Sequence, residues 1–149
     1  SGVLLPNIKM HYMLHDLNYK LRFEQNYFDN ICVNLVLPYI KNYRFALMNM
    51  YNCLKKNGTL IVTSLKPNYD LSIIYKKFVT SNPSKEDIEE ARKLLGSAGQ
   101  IKYKGKLGRY KFFDKNYFFN LLKELCIKSK DVRTMRSFNN QVNIFIIKK

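Results

Sequence analysis

Few residues in this 149-residue chain stand where their types and spacing could do chemistry. Asn34 interrupts the apolar run Asn30–Leu37 (NICVNLVL), and a buried amide there must find hydrogen-bond partners. Pro38 and Tyr39 follow that run directly. His15 adjoins Asp16 just after another apolar stretch. Either a site-facing histidine or a strand-end surface histidine satisfies that position, and His11 is the only other histidine. Asp16 on its own reads as a carboxylate capping a turn. Cys32, Cys53 and Cys126 form no CxxC pair and have no histidine at ligand spacing. A disulfide framework or metal site is therefore not expected, and a reducing, cytoplasmic location is the default. Lys102–Lys111 (KYKGKLGRYK) interleaves bases with aromatics. Such a segment can track a phosphate backbone and stack bases, or simply be a solvated loop in a lysine-rich chain.

The elements that position these residues follow from periodicity. Ile8–Leu14 is predicted as a strand ending in a loop at His15–Asn18. Asn30–Leu37 is β-branched and nearly all apolar, which suits a strand buried on both faces, stopped by Pro38. Tyr43–Lys56 places Phe45, Leu47, Met48, Met50, Tyr51 and Leu54 on one helical stripe, with Lys55 and Lys56 in the last turn and Gly58 as its stop. Thr59–Leu65 is a second buried strand. Asp70 caps a predicted helix over 71–79, and Ser84 caps another reaching Ser97 and ending near Gly99. Residues 101–111 are predicted as a loop. Asp114 caps a helix over 115–125, and 127–138 with 141–147 form an antiparallel hairpin turning at Asn139–Asn140. Alternating strands and helices argue for an α/β layered sheet, mostly parallel with a C-terminal antiparallel hairpin and helices on both faces.

Composition narrows the classes. The length suits one domain, and 46% apolar with 14% aromatic residues excludes wholesale disorder. No apolar stretch approaches the ~20 residues of a spanning helix, so no membrane role is expected. The start, Ser1–Pro6, lacks the basic lead and apolar length of a signal peptide. The net charge of +15 invites a polyanion partner, but its bases are dominated by lysine amid abundant Asn, Tyr, Ile and Phe. Such a composition reads either as the drift of an AT-rich genome or as a real polyanion surface. Residues 1–64 carry 7 basic and 3 acidic side chains, whereas residues 65–149 carry 19 and 8.

Taken in order, Asp16-Leu17-Asn18, Phe28-Asp29, Asn34-Leu35-Val36-Leu37-Pro38-Tyr39 and Leu54-Lys55-Lys56-Asn57-Gly58 form a recognisable skeleton. It resembles the C-terminal part of the class I S-adenosyl-L-methionine (SAM)-dependent methyltransferases, from near their third strand onward. Residues 66–71, 110–125 and 136–143 continue the resemblance to the closing strands. Asn57-Gly58 stands where the family usually has two glycines, a mild departure because asparagine tolerates the left-handed conformation. The family's glycine-rich turn after its first strand and the acidic residue ending its second are absent. Residues 1–149 are thus expected to be a single incomplete domain with a partial Rossmann-like sheet.

The resemblance implies SAM as cofactor and a small-molecule methyl acceptor. It puts Asp16 and Leu17 at the adenine, and Asn34, Leu35 and Val36 at the methionine end. It turns Tyr39 and Tyr110 toward the acceptor. Pro38 replaces a frequent histidine, and no catalytic residue is assigned. It also implies that the third and fourth strands are separated by two strands missing here. The free sheet edge is then expected to need a missing N-terminal half or a dimer partner. The alternative is a non-catalytic module of the same fold that binds nucleic acid or a protein through its basic C-terminal half.

Overall fold

A computed structural model describes residues 9–128 and 131–149. Residues 1–8, with the expected start of the first strand at Ile8, lie outside the described residues, as do Ser129 and Lys130. Four strands form one sheet: β1 (Phe28–Asn34), β2 (Leu54–Leu65), β3 (Asp131–Ser137) and β4 (Val142–Lys148). Their spatial order is β1-β2-β4-β3. β1 and β2 run parallel, while β4 is antiparallel to both its neighbours, β2 and β3. The parallel part of the sheet is thereby confined to β1–β2, and the terminal hairpin turns through Phe138, Asn139 and Asn140, all at positive φ.

The helices are α1 (Tyr43–Cys53), α2 (Ser72–Val79), α3 (Lys85–Lys106) and α4 (Lys115–Glu124). The register lines up Val33, Val62 and Phe145 across three strands, and Ile31, Leu60, Ile147 and Val132 across four. This is the core face. Leu47 and Met50 of α1 and Phe118 and Leu121 of α4 pack on it, with the Phe118 and Phe145 rings stacked at 3.9 Å. Tyr43–Tyr117 and Arg44–Glu124 contacts tie α1 to α4 on this same side.

Several expectations are corrected. α1 and α4 share one face of the sheet. On the other, Cys32 and Asn34 are exposed, and Ile61, Thr63, Ile144 and Ile146 are only half-buried. β1 is consequently not buried on both faces; of its seven residues only Val33 is buried. The expected strand at 8–14 does not form over residues 9–14, where Met10, Tyr12, Met13 and Leu14 are all exposed. A strand needs a hydrogen-bonding neighbour, and none of the described strands pairs with residues 9–14.

Helix α1 stops at Cys53 rather than Lys56. Its terminal carbonyls meet a base remote in sequence: Lys149 Nζ donates to the carbonyls of Tyr51 (3.1 Å), Asn52 (3.4 Å) and Leu54 (2.6 Å). Lys55, Lys56, Asn57 and Gly58 instead enter β2 as an irregularity, because Phe28 pairs with Leu54 and Asn30 with Thr59. Gly58 is there for space: a Cβ would lie 2.8 Å from the Lys55 carbonyl and 2.9 Å from that of Asp29.

Helix α3 runs through Gly96 and Gly99, so the predicted loop at 101–111 is helical as far as Lys106. The real stop is Gly108 at φ +74. Its N–H bonds Gly105 O at 3.0 Å, and Arg109 N–H bonds Lys104 O at 3.0 Å. That pair of bonds with a left-handed glycine closes the helix. The predicted caps of the other helices hold: Asp70 Oδ1 accepts from Ser72 N at 3.0 Å, and Asp114 Oδ1 from Tyr117 N at 2.8 Å. α2 and α3 pack mainly on each other. Tyr69 Oη donates to Ala98 O at 2.8 Å and Lys77 Nζ to Asn139 at 2.8 Å, which seats the pair at the carboxyl end of β2.

Candidate active site

Parallel strands of an open α/β sheet present their carboxyl ends to ligands. Here those are the ends of β1 and β2. β1 finishes at Asn34, and Leu35 then adopts φ 55. A left-handed leucine costs on the order of 1 kcal/mol, and such strain persists only where its surroundings enforce it. Thr63 of β2, paired with Asn34, enforces it: its hydroxyl donates to Asn34 Oδ1 at 2.7 Å and accepts from Leu35 N–H at 2.8 Å. Asn34 is exposed rather than buried as its place in an apolar run suggested, so its amide takes this bond without needing it for burial.

Beyond Leu35 the chain turns through Val36 into a 3-10 turn, Leu37–Tyr39, with Pro38 in its opening positions, where no N–H is needed. This turn points Tyr39 outward. The ring meets Tyr110 edge-to-face at 4.9 Å and Phe112 at 6.1 Å, and Phe112 meets Tyr69 at 5.4 Å. Burial raises the hydroxyl pKa of Tyr39 and pushes that of Tyr69 up to about 12.

The segment carrying Tyr110 and Phe112 is pinned along its length. Lys111 N–H bonds Pro38 O at 3.0 Å. Phe113 N–H bonds Ser64 Oγ at 3.2 Å, and Phe113 O accepts from Asn143 Nδ2 at 2.9 Å. Gln141, buried, accepts from Asp70 N at 2.7 Å and so holds the loop after β2.

Of the expected cofactor residues, Leu17, Asn34 and Val36 line one hollow of about 320 Å³. Asn30, Cys32 and Asn34 from one face of β1 and Ile31 and Val33 from the other also line it, so it follows the unpaired edge of that strand. Leu35, the strained residue between Asn34 and Val36, does not line it. Asp16 is exposed, and its Oδ1 accepts from both Asn18 N and Asn18 Nδ2 at 2.9 Å, which lowers its pKa. Asn18 Oδ1 in turn accepts from Asn42 N at 3.1 Å, anchoring the Asp16–Asn18 turn to the start of α1. His15 Nε2 is buried without a hydrogen-bond partner among the described residues. Tyr39 and Tyr110 are brought together, but Tyr110 lines a separate hollow of about 290 Å³ with Pro67 and Lys102. Cys53 is buried as a core thiol, whereas Cys32 is exposed on the other sheet face. Thr63, Ser64 and Asn143 were not among the predicted site residues. Their one signal was polarity near strand ends in otherwise apolar runs.

With this geometry in view, a family model described as a methyltransferase domain matches residues 4–62. A SAM-dependent methyltransferase of Thermotoga maritima superposes over 89% of this chain, at TM-score 0.52 and 16% identity. The chain carries a class I methyltransferase fold. A SAM-dependent methyltransferase of Mesorhizobium loti shares that methyltransferase fold over 97% of this chain and 72% of its own, at TM-score 0.56 and 11% identity. A protein of Bordetella parapertussis shares it over 91% of this chain, at TM-score 0.56 and 13% identity. The methyltransferase fold seen here spans 61% of the Thermotoga chain and 42% of the Bordetella chain. No curated protein matches the sequence. No helix among the described residues is long and apolar enough to cross a membrane.

Proposed function

We propose that this chain is the C-terminal part of a SAM-dependent methyltransferase domain that methylates a small molecule. The observation that carries the reading is the strained turn at Leu35, held by Thr63 at the carboxyl end of β1 inside a methyltransferase fold. Strain of this kind is retained where it shapes a ligand site.

The residues fit one side of the cofactor. Leu17 and Val36 offer apolar surface and Asn34 an amide along one hollow. The Asp16 carboxylate is exposed to accept from the adenine amino group. The glycine-rich turn that would approach the other side is not in this sequence. SAM, when bound, supplies a methyl group on a positively charged sulfur. Tyr39 and Tyr110 form the wall against which an acceptor would be held in line with it. Positioning alone can drive such a displacement, so no acid or base is assigned. The unpaired edge of β1 and the sheet face opposite α1 and α4 are the surfaces on which the N-terminal half of the domain would seat.

Calorimetry with SAM tests this. The 149-residue chain should bind little or none, and a polypeptide that includes a preceding ~80–100 residues should bind. If the longer polypeptide also ignores SAM, the reading fails.

A further inference from the structure

Two hollows adjoin at the carboxyl end of the sheet, sharing Pro67 and Asp114 as their common wall. The larger, about 560 Å³, takes Lys66, Lys115 and Arg136; the smaller, about 290 Å³, takes Lys102, Lys106 and Lys111. Six cations thus come from four parts of the sequence. None of the three ion pairs among the described residues uses any of them. The single acid, Asp114, is committed to the first turn of α4 through its bond to Tyr117 N–H. Six cations against one engaged carboxylate make a strongly positive concavity. Gly105 allows the close approach of α3 that shapes it, since a Cβ there would lie 2.6 Å from the Phe112 ring. Tyr110 lines the smaller hollow, and its ring touches Tyr39, so the positive region opens from the aromatic pair of the candidate site.

We infer that the acceptor is a small anion, bearing phosphate or several carboxylates, whose charged group is seated by Lys66, Lys102, Lys106, Lys111, Lys115 and Arg136. This rests on the methyl-transfer reading only for the word acceptor; the anion site stands on the charge and shape. The sizes suit a small molecule. A single-stranded nucleic acid would need open rings on which bases stack. The rings here are spent on one another: Tyr69 and Phe112 are buried, and Tyr110 packs on Tyr39. Tyr103 is exposed but lines a different hollow.

The test needs no SAM. Amide chemical shifts of the 149-residue chain are followed during titration with inorganic pyrophosphate, with citrate, and with a short oligothymidylate. Saturable shifts confined to residues 66, 102–116 and 136 are expected for at least one of the two small anions, and the tighter one tells phosphate from carboxylate chemistry. Lys111→Ala with Arg136→Ala should weaken that binding about tenfold, as two lost charge contacts would, while Lys85→Ala on the far end of α3 should not change it. Non-saturating shifts at lysines all over the surface would overturn the inference. So would tighter binding of the oligothymidylate with shifts spreading to 76 and 77. Failure of SAM to bind the longer polypeptide, with pyrophosphate still saturating these residues, would instead remove the methyl-transfer reading alone.

Discussion

The Thr63 hydroxyl spans the ends of two parallel strands, donating to Asn34 at 2.7 Å while accepting the Leu35 amide at 2.8 Å. One side chain thereby fixes both the last residue of β1 and the left-handed residue after it.

Replacing it tests that dependence. Thr63→Val keeps the shape and removes both bonds, leaving Leu35 N–H without its acceptor. Stability should fall by about 1–2 kcal/mol in chemical denaturation. Thr63→Ser, which keeps the hydroxyl, should lose less than half as much.

Tyr39 and Tyr110 should be energetically coupled. A double-mutant cycle of Tyr39→Ala and Tyr110→Ala is expected to give about 0.5–1.5 kcal/mol of interaction, as edge-to-face rings do. A coupling near zero would mean the 4.9 Å contact contributes no more than burial of each ring.

Lys149 caps α1 from the far end of the chain. Lys149→Met removes donors from the carbonyls of Tyr51, Asn52 and Leu54 while keeping much of the stem. The expected cost is about 1–2 kcal/mol, with the amides of α1 losing hydrogen-exchange protection first.

Alkaline stability should report Tyr69. Its hydroxyl pKa is pushed up to about 12 by burial, from an ordinary value of 10.0. The folded state then holds its proton in a range where the unfolded chain releases it. This contribution is fully present below pH 10, declines between 10 and 12, and is lost above that. Tyr69→Phe should flatten that part of the stability–pH curve, measured by urea midpoints against the parent. The two curves would stay parallel if Tyr69 ionised freely.

Much of this arrangement was legible from residues alone. Asp70, Ser84 and Asp114 announced helix starts that their side-chain bonds bear out, whereas Asn34, expected buried in its apolar run, is exposed. Local rules failed where distant groups decide. Gly99 looked like a stop, yet α3 passes it because Tyr69 grips Ala98 and Phe112 lies against Gly105 further along. Lys55 and Lys56 looked like the cap of α1, whereas Lys149 does that work. The partners of Phe113, Ser64 and Asn143, lie far apart in sequence, and no spacing rule connects them. The strand at 9–14 failed for another reason, because periodicity describes a strand's faces and not whether a neighbour exists to pair with it.

The sheet order has a consequence for synthesis. β4, the last strand in chain order, is the one inserted between β2 and β3. A nascent chain emerging from the ribosome can join β1 to β2 early, but those two strands must wait with an open flank until β4 arrives. The hydrophobic layer over Val62 and Phe145 closes only then. Chains interrupted before residue 142 would expose that flank permanently, and they are the species most exposed to chaperones and proteases.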